Sequence, residues 1–284
     1  MNPGPWEIAL ARFRADGAAM AAIYLLIALV VVTALAPWLV TFAPTDTLVA
    51  DSEQAPTLTH PFGTDFAGRD VLSRVLYGGL VSLPVAFLSV LLAATIGTAY
   101  GAVAGLASER IDSVMMRLID AALAIPRLFL IIAVLAIWGN PSVPMLILLL
   151  GVTGWFGVSR IVRGEVRALR NEEWMMAANA LGATRGRMLW RHVLPNVLSP
   201  VIVAATLGVG HIILLEAGLG YLGIGVQPPT PSWGNIINDG AGNVFSVWWL
   251  FVFPGLAIAM TAMSFNIAGD ALRDALDPRQ VGRR

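Results

Sequence analysis

The chain has 284 residues, of which 57% are hydrophobic and only 13% charged, against roughly 25% charged in ordinary soluble domains. Its 18 basic and 18 acidic residues balance, so no global positive field exists to hold nucleic acid. There is no cysteine and no lysine, which excludes disulfide frameworks, thiolate metal sites, a Walker A phosphate loop and Schiff-base chemistry; if ATP drives this protein, another chain must bind it.

A membrane span needs about 20 apolar residues, because a hydrocarbon core about 30 Å thick is crossed at about 1.5 Å per residue. After a short segment 1–17, Ala18–Phe42 is uncharged and reads as the first span. No small-residue cleavage site follows its apolar core, so it reads as an anchor and not as a cleaved signal peptide. A long loop, 43–79, ends in an amphipathic stretch. Val71, Leu72, Val75 and Leu76 share one helical stripe, while Asp65, Arg69, Asp70, Ser73 and Arg74 occupy the rest. That pattern predicts an interfacial helix capped by Thr64 or Asp65.

Leu80–Leu106 is the second span. The apolar region 118–159 is too long for one crossing, and Gly139-Asn140-Pro141-Ser142 divides it. The third span is then Leu118–Trp138, with a kink expected at Pro126, and the fourth is Val143–Ser159. Loop 160–192 follows and is the most charged part of the chain. Asn171 suits the cap of a new helix, with Glu172 and Glu173 at its positive end. Gly182 suits a turn, a second helix runs from about Thr184 to His192, and Pro195 stands in the first turn of the fifth span, Val193–Leu215. Small Ala177, Ala178 and Gly182 at the bend allow another surface to come close. The plainer reading of this loop is a basic connection that only fixes topology.

Loop 217–243 contains Pro228, Pro229 and Pro231, which argue against regular helix. Its glycines 218, 220, 223 and 225 permit re-entrant backbone, and Tyr221 and Trp233 suit the headgroup level. Val244–Ala268 is the sixth span, so the membrane domain occupies 18–268 and a tail 269–284 follows. With both ends inside, 15 of the 18 arginines lie on inner segments, only Arg69 and Arg74 lie outside, and Arg127 falls within the third span. The positive-inside rule therefore expects both termini in the cytoplasm.

Charges within spans are functional candidates because their insertion is costly, about 2.5–3.5 kcal/mol each at a helix centre. Arg117, Asp120 and Arg127 share one face of the third span, and Arg117 and Asp120 stand at pairing distance. Arg127 lies beyond Asp120's reach and needs water, a partner helix or carbonyls freed by the Pro126 kink. We expect Arg127 either to attract an anionic group in a translocation path or to pair with another subunit. His211 and Glu216 in the fifth span do not share a face; each is a candidate for the path or gate, with a backbone partner the plainer role for His211. No catalytic triad, paired aspartates or His-Glu-x-x-His stretch is present, which argues against an intramembrane protease.

Ala177-Ala178, three residues, Gly182, and then Leu194-Pro195 resemble the EAA loop of ABC importer permeases, in which this loop is the coupling helix that docks on a cytoplasmic ATPase. Two positions depart from the family pattern: Met176 replaces a usual glutamate and His192 a usual isoleucine. Arg191-His-Val-Leu-Pro-Asn196 is similar to the dipeptide/oligopeptide/nickel branch. So are the segments His60–Arg74, Leu219–Pro229 with Ser232-Trp-Gly234, and Gly269–Arg279.

The resemblance implies an all-α membrane protein, a type I ABC importer permease of six transmembrane helices with a cytoplasmic coupling helix. It implies ATPase coupling through Met176, Ala177, Ala178, Gly182, Ala183, Arg185, Leu194 and Pro195. It implies a second homologous permease, two ATP-binding subunits or domains, and an extracytoplasmic solute-binding protein as partners in the bilayer. ATP and Mg²⁺ would belong to the partner ATPase, with no cofactor or metal in this chain. Relatives with this signature carry dipeptides, longer peptides or chelated nickel. The competing class is a self-sufficient secondary transporter using Asp120 or Glu216 as its proton site.

Overall fold

The computed structural model describes residues 5–276, apart from the side chains of Pro5, Trp6, Asn179 and Arg185. Residues 277–284 of the expected tail, including Arg279, lie outside the described residues. The regular structure of the described residues is all helical, with one isolated bridge between Thr64 and Asp70. In order the helices are α1 (Pro5–Ala15), α2 (Gly17–Ala34), α3 (Ala36–Leu39), α4 (Val71–Leu106), α5 (Glu109–Leu123), α6 (Arg127–Trp138), α7 (Val143–Val152), α8 (Trp155–Arg170), α9 (Glu173–Ala180), α10 (Arg185–Met188), α11 (Leu194–Tyr221), α12 (Trp233–Asp239) and α13 (Trp249–Leu276). A π-turn, Leu189–Val193, joins α10 to α11.

Five stretches are long and apolar enough to cross a membrane: Gly17–Ala34, Val71–Leu106, Val143–Arg170, Gly186–Tyr221 and Trp249–Leu276. The pair α5–α6, bent by 73°, makes a sixth when taken as one broken span. The third span is therefore not the single, lightly kinked helix expected from Leu118. Pro126 lacks an amide hydrogen to continue α5 and instead opens α6.

α4 is the spine. Asp70 opens it, accepting from the Ser73 amide at 2.8 Å and from the Ser73 hydroxyl at 2.7 Å, which satisfies otherwise orphaned donors of the first turn. The expected interfacial helix is thus the beginning of α4 itself. Its apolar stripe turns inward: Val71 is fully buried and Val75 nearly so, both inside the core at the end of the bundle that carries the long loops. At the opposite, arginine-rich end, Val162, Val166, Met175, Val193 and Val197 form a second core. Between them α4 and α8 meet along a stripe of glycines: Cβ atoms added at Gly97 and Gly105 would come within 2.7 Å and 2.6 Å of the Cβ atoms of Val158 and Val166. Small residues spaced by four let two backbones close in where lipid supplies no hydrophobic drive.

Candidate functional site

Loop 160–192 is mostly helical. α8 runs past the span to Arg170, and Asn171 closes it, its amide donating to Ala168 at 3.2 Å. Glu172, not Asn171, opens α9, its carbonyl accepting from the Met175 and Met176 amides at 3.0 Å each. α9 ends in a Schellman turn: the Ala183 amide donates to the Ala178 carbonyl at 3.1 Å, and Gly182 holds a left-handed φ of +80°. A Cβ on Gly182 would meet nothing within 4 Å, so the backbone conformation, not crowding, demands glycine there. Ala178, Gly182, Ala183, Thr184, Arg187 and His192 line a surface cleft of ≈ 350 Å³. Around it Leu181 is 89%, Trp190 73% and Met176 54% exposed, and Ala177 is exposed as well.

The second helix of the loop does not stand apart from the fifth span, as its sequence suggests. α10, opened by the Arg185 backbone, passes through the π-turn directly into α11. Pro195, in the first turn of α11, has no amide hydrogen to continue an α pattern, and the wider π-turn falls where that bond is missing. Leu194 packs on the core of the arginine-rich end.

This exposed turn is rigidly tied to the bundle. Met175 on α9 is only 1% exposed and sits in the same core as Val162, Val166 and Val193. The Trp174 and His192 rings lie 5.7 Å apart. Asp112 on α5 is buried, accepts from Arg163 Nε and Nη2 at 2.6 Å each, and is paired with Arg167 at 2.7 Å. Arg170 donates to the Gly105 and Ala107 carbonyls at 3.1 and 3.2 Å. Met175 thus ties the turn to α8, and Arg163, Arg167 and Arg170 fasten α8 to the α4–α5 corner. The sequence reading missed Asp112, because 51 residues separate it from Arg163 and only helix packing brings them together.

The four candidate path residues do not form one site. Asp120 pairs with Arg160 of α8, both side chains about half exposed, so the expected Arg117–Asp120 pair is absent and Arg117 is exposed. Arg127 is half-buried and donates from Nη2 to the Leu150 carbonyl at 2.6 Å and from Nε to the Thr153 hydroxyl at 3.3 Å. The freed carbonyl belongs to the neighbouring span, not to the Pro126 kink. At the α7–α8 break the Gly154 amide turns to Gly151, which leaves Leu150 open to Arg127. His211, exposed on α11, lines the same cleft as Arg127.

Glu216 lies elsewhere, fully buried among α4, α11 and the turn into α12. It sits beside the Ser82 and Ser232 hydroxyls, and neither of its oxygens reaches hydrogen-bond geometry. Both hydroxyls already accept amide bonds, Ser82 from Trp233 at 3.2 Å and Ser232 from Asn235 at 3.3 Å, which keeps their hydrogens free to turn toward the carboxylate.

The loop 217–243 departs from expectation in the same place. Ser232 and Asn235 build a capping box that starts α12 directly after the prolines. Trp233 is 1% exposed, not at the headgroup level, and its Nε1 donates to the Val75 carbonyl at 2.9 Å. Asp239 at the end of α12 meets Arg69 at 3.2 Å and Arg74 at 2.6 Å, and both arginines also pair with the buried Asp65. This two-acid, two-arginine cluster clamps both long loops to the head of α4.

A six-span helical bundle with a rigidly tethered, exposed turn at one end and two interlocked loops at the other is the architecture of a transport permease. The family model described as binding-protein-dependent transport system inner membrane component matches residues 97–282, and the N-terminal TM domain of oligopeptide transport permease C matches residues 4–56. The chain is 38% identical to the dipeptide transport system permease protein DppC of Alkalihalophilus pseudofirmus, over 97% of this chain and 90% of that one. It is 38% identical to the oligopeptide transport system permease protein OppC of Haemophilus influenzae, over 96% and 88%, and 39% identical to DppC of Bacillus subtilis, over 94% and 84%. The chain belongs to the binding-protein-dependent transport system inner membrane component family: it is a multi-pass permease subunit of a type I ABC importer.

Proposed function

We propose that this chain forms half of the translocation pathway of a peptide importer and docks a separate ATPase through the α9–Gly182 turn. The observation that carries the reading is the turn itself, with Leu181, Met176 and Trp190 turned outward on a mount that Met175 and the Asp112 cluster hold rigid. Apolar side chains exposed together on a rigid mount mark a protein contact. By sequence, 15 of the 18 arginines fall in segments assigned to that side, which supports a cytoplasmic location for the turn and both termini.

Relatives named for dipeptides and for oligopeptides support peptides as the cargo. A second permease, two ATP-binding subunits or domains carrying ATP and Mg²⁺, and a solute-binding protein complete the system. Closure of the ATPase pair on ATP draws the two coupling turns together. Met175 passes the motion to α8 and α11, and Asp112 passes it to the α4–α5 corner. A secondary transporter is disfavoured: Asp120 is exposed and already paired with Arg160.

The test is affinity purification of the tagged chain in mild detergent, with ATPase assay and identification of what comes with it. A second permease and a Walker-containing ATPase are expected. Recovery of this chain alone, with uptake abolished by an uncoupler and indifferent to vanadate, would overturn the reading.

A further inference from the structure

Arg127 and His211 come from different spans and line one cleft of ≈ 340 Å³ between α4, α6, α8 and α11. That volume lies within the roughly 300–1,000 Å³ of small-molecule pockets. No aspartate or glutamate lines it, and its walls are otherwise apolar or small, with Ser89, Gly154, Gly157 and Gly208 among them. Gly154 makes the room: a Cβ there would stand 2.9 Å from Arg127 Nη2.

The hydrogen bonds of Arg127 use Nε and Nη2, and Nη1 has no acceptor among the described residues. Both acceptors it does find are neutral. His211 has no hydrogen bond, ion pair or ring contact among the described residues. Gly154 stands eleven residues into the apolar stretch Val143–Arg170, one of those long enough to cross a membrane, so the cleft lies within the membrane-spanning part of the bundle. A cation at that depth without a counter-charge is costly, and such residues mark substrate or ion pathways. An arginine oriented by a carbonyl, with donors to spare and an imidazole across the cleft, matches a carboxylate, which accepts several charge-assisted hydrogen bonds at once.

We propose that the Arg127–His211 cleft is a transient station for the carboxylate end of the cargo on its way through the membrane. The proposal rests on the peptide-importer reading. The neutral Leu150 and Thr153 acceptors hold the guanidinium in position without cancelling its charge, so the carboxylate finds an oriented but unneutralised partner. His211 adds a second donor from the neighbouring span. The other walls carry no acceptor-specific chemistry, which leaves the remainder of the cargo unread.

The experiment reconstitutes the complete importer in vesicles and compares ATP-driven uptake of trialanine with that of its C-terminal amide. The binding protein is the same throughout, so its own preference cancels when the acid-to-amide ratio is compared between variants. We expect Arg127→Gln to lower that ratio about tenfold, the loss of one charge-assisted pair. Arg127→Lys should retain most of the ratio and His211→Gln should lower it less. A ratio unchanged in both Arg127→Gln and His211→Gln overturns the station while leaving peptide import intact. If Arg127→Gln fails to assemble, Arg127→Lys assembles and His211→Gln leaves the ratio untouched, the cleft instead holds an acidic side chain of the second permease. A wild-type importer that moves neither peptide overturns the peptide reading, and the station with it.

Discussion

A Cβ placed on Gly101 of α4 would stand 2.9 Å from the Cβ of Val162 on α8. Gly101 is the middle of the stripe formed with Gly97 and Gly105, so a side chain there pries α4 and α8 apart. Gly101→Leu should destabilise the chain by about 1–3 kcal/mol or more, the cost of overpacking a closed contact. The measurement is thermal unfolding of the purified permease in detergent. Gly164→Ala, on the same α8 but with nothing within 4 Å, should be neutral or slightly stabilising, because alanine is the better helix former by roughly 1 kcal/mol. Equal losses in both variants would show that the stripe is not what holds α4 against α8.

Most of the spans and the Gly182 turn were legible because both are local. Uncharged runs of membrane length announce helices, and Gly182 and Pro195 each demand a backbone geometry that their own chemistry reveals. What escaped depends on which helices become neighbours. The stripe of Gly97, Gly101 and Gly105 went unread, because only packing sets its valine counterparts on α8. Asp112 is an ordinary first-turn acid until Arg163 and Arg167 close on it. Trp233 carries the amphipathic chemistry of a headgroup residue, and only the pairing of α12 with α4 buries it. The stripe of Val71 and Val75 was read correctly as helical and assigned to lipid, because amphipathicity gives a face and not its occupant. Arg127 was singled out by its cost, yet its carbonyl partner came from the α7–α8 break, which no motif marks.

Trp233 anchors the loop 217–243 by volume and by one hydrogen bond, and the two contributions separate. Trp233→Ala should cost about 3–5 kcal/mol, as for other large side chains removed from a core. Trp233→Phe retains much of the volume and loses the bond to Val75, costing about 0.5–1.5 kcal/mol plus the desolvation of that carbonyl. Protease sensitivity of residues 222–243 and thermal unfolding should rank the three proteins as wild type, Phe, Ala. If the alanine variant matches the wild type, α12 docks by other contacts, with the Asp239 cluster the first to examine.

Asp112 holds two arginines, and their exposure sets the cost of losing it. Arg163 is 26% and Arg167 44% exposed, so both can recover water when the carboxylate goes. Asp112→Asn should therefore cost about 1.5–3 kcal/mol, the range for hydrogen bonds to charged groups, and not the 3–5 kcal/mol of a fully buried pair. Double-mutant cycles with Arg163→Met and Arg167→Met should assign the larger coupling to Arg163, which binds both carboxylate oxygens and is the more buried. The reverse order would mean that Arg167 is the principal tie between α8 and α5.

The α9–Gly182 turn offers two neighbouring residues with opposite expectations. Gly182 stands at φ +80°, so any other residue strains the backbone: Gly182→Ala should cost about 1 kcal/mol locally, and bulkier substitutions there would confuse strain with blocked docking. Leu181 is 89% exposed, so Leu181→Asp should leave insertion and unfolding temperature unchanged. On the proposed docking, that variant loses its ATPase during purification and its ATP-driven uptake falls at least about tenfold, the equivalent of roughly 1.4 kcal/mol at the contact. Uptake and ATPase recovery at wild-type levels in Leu181→Asp would remove the apolar turn as the docking surface. Loss of the folded permease itself would instead assign Leu181 a structural role that its exposure does not account for.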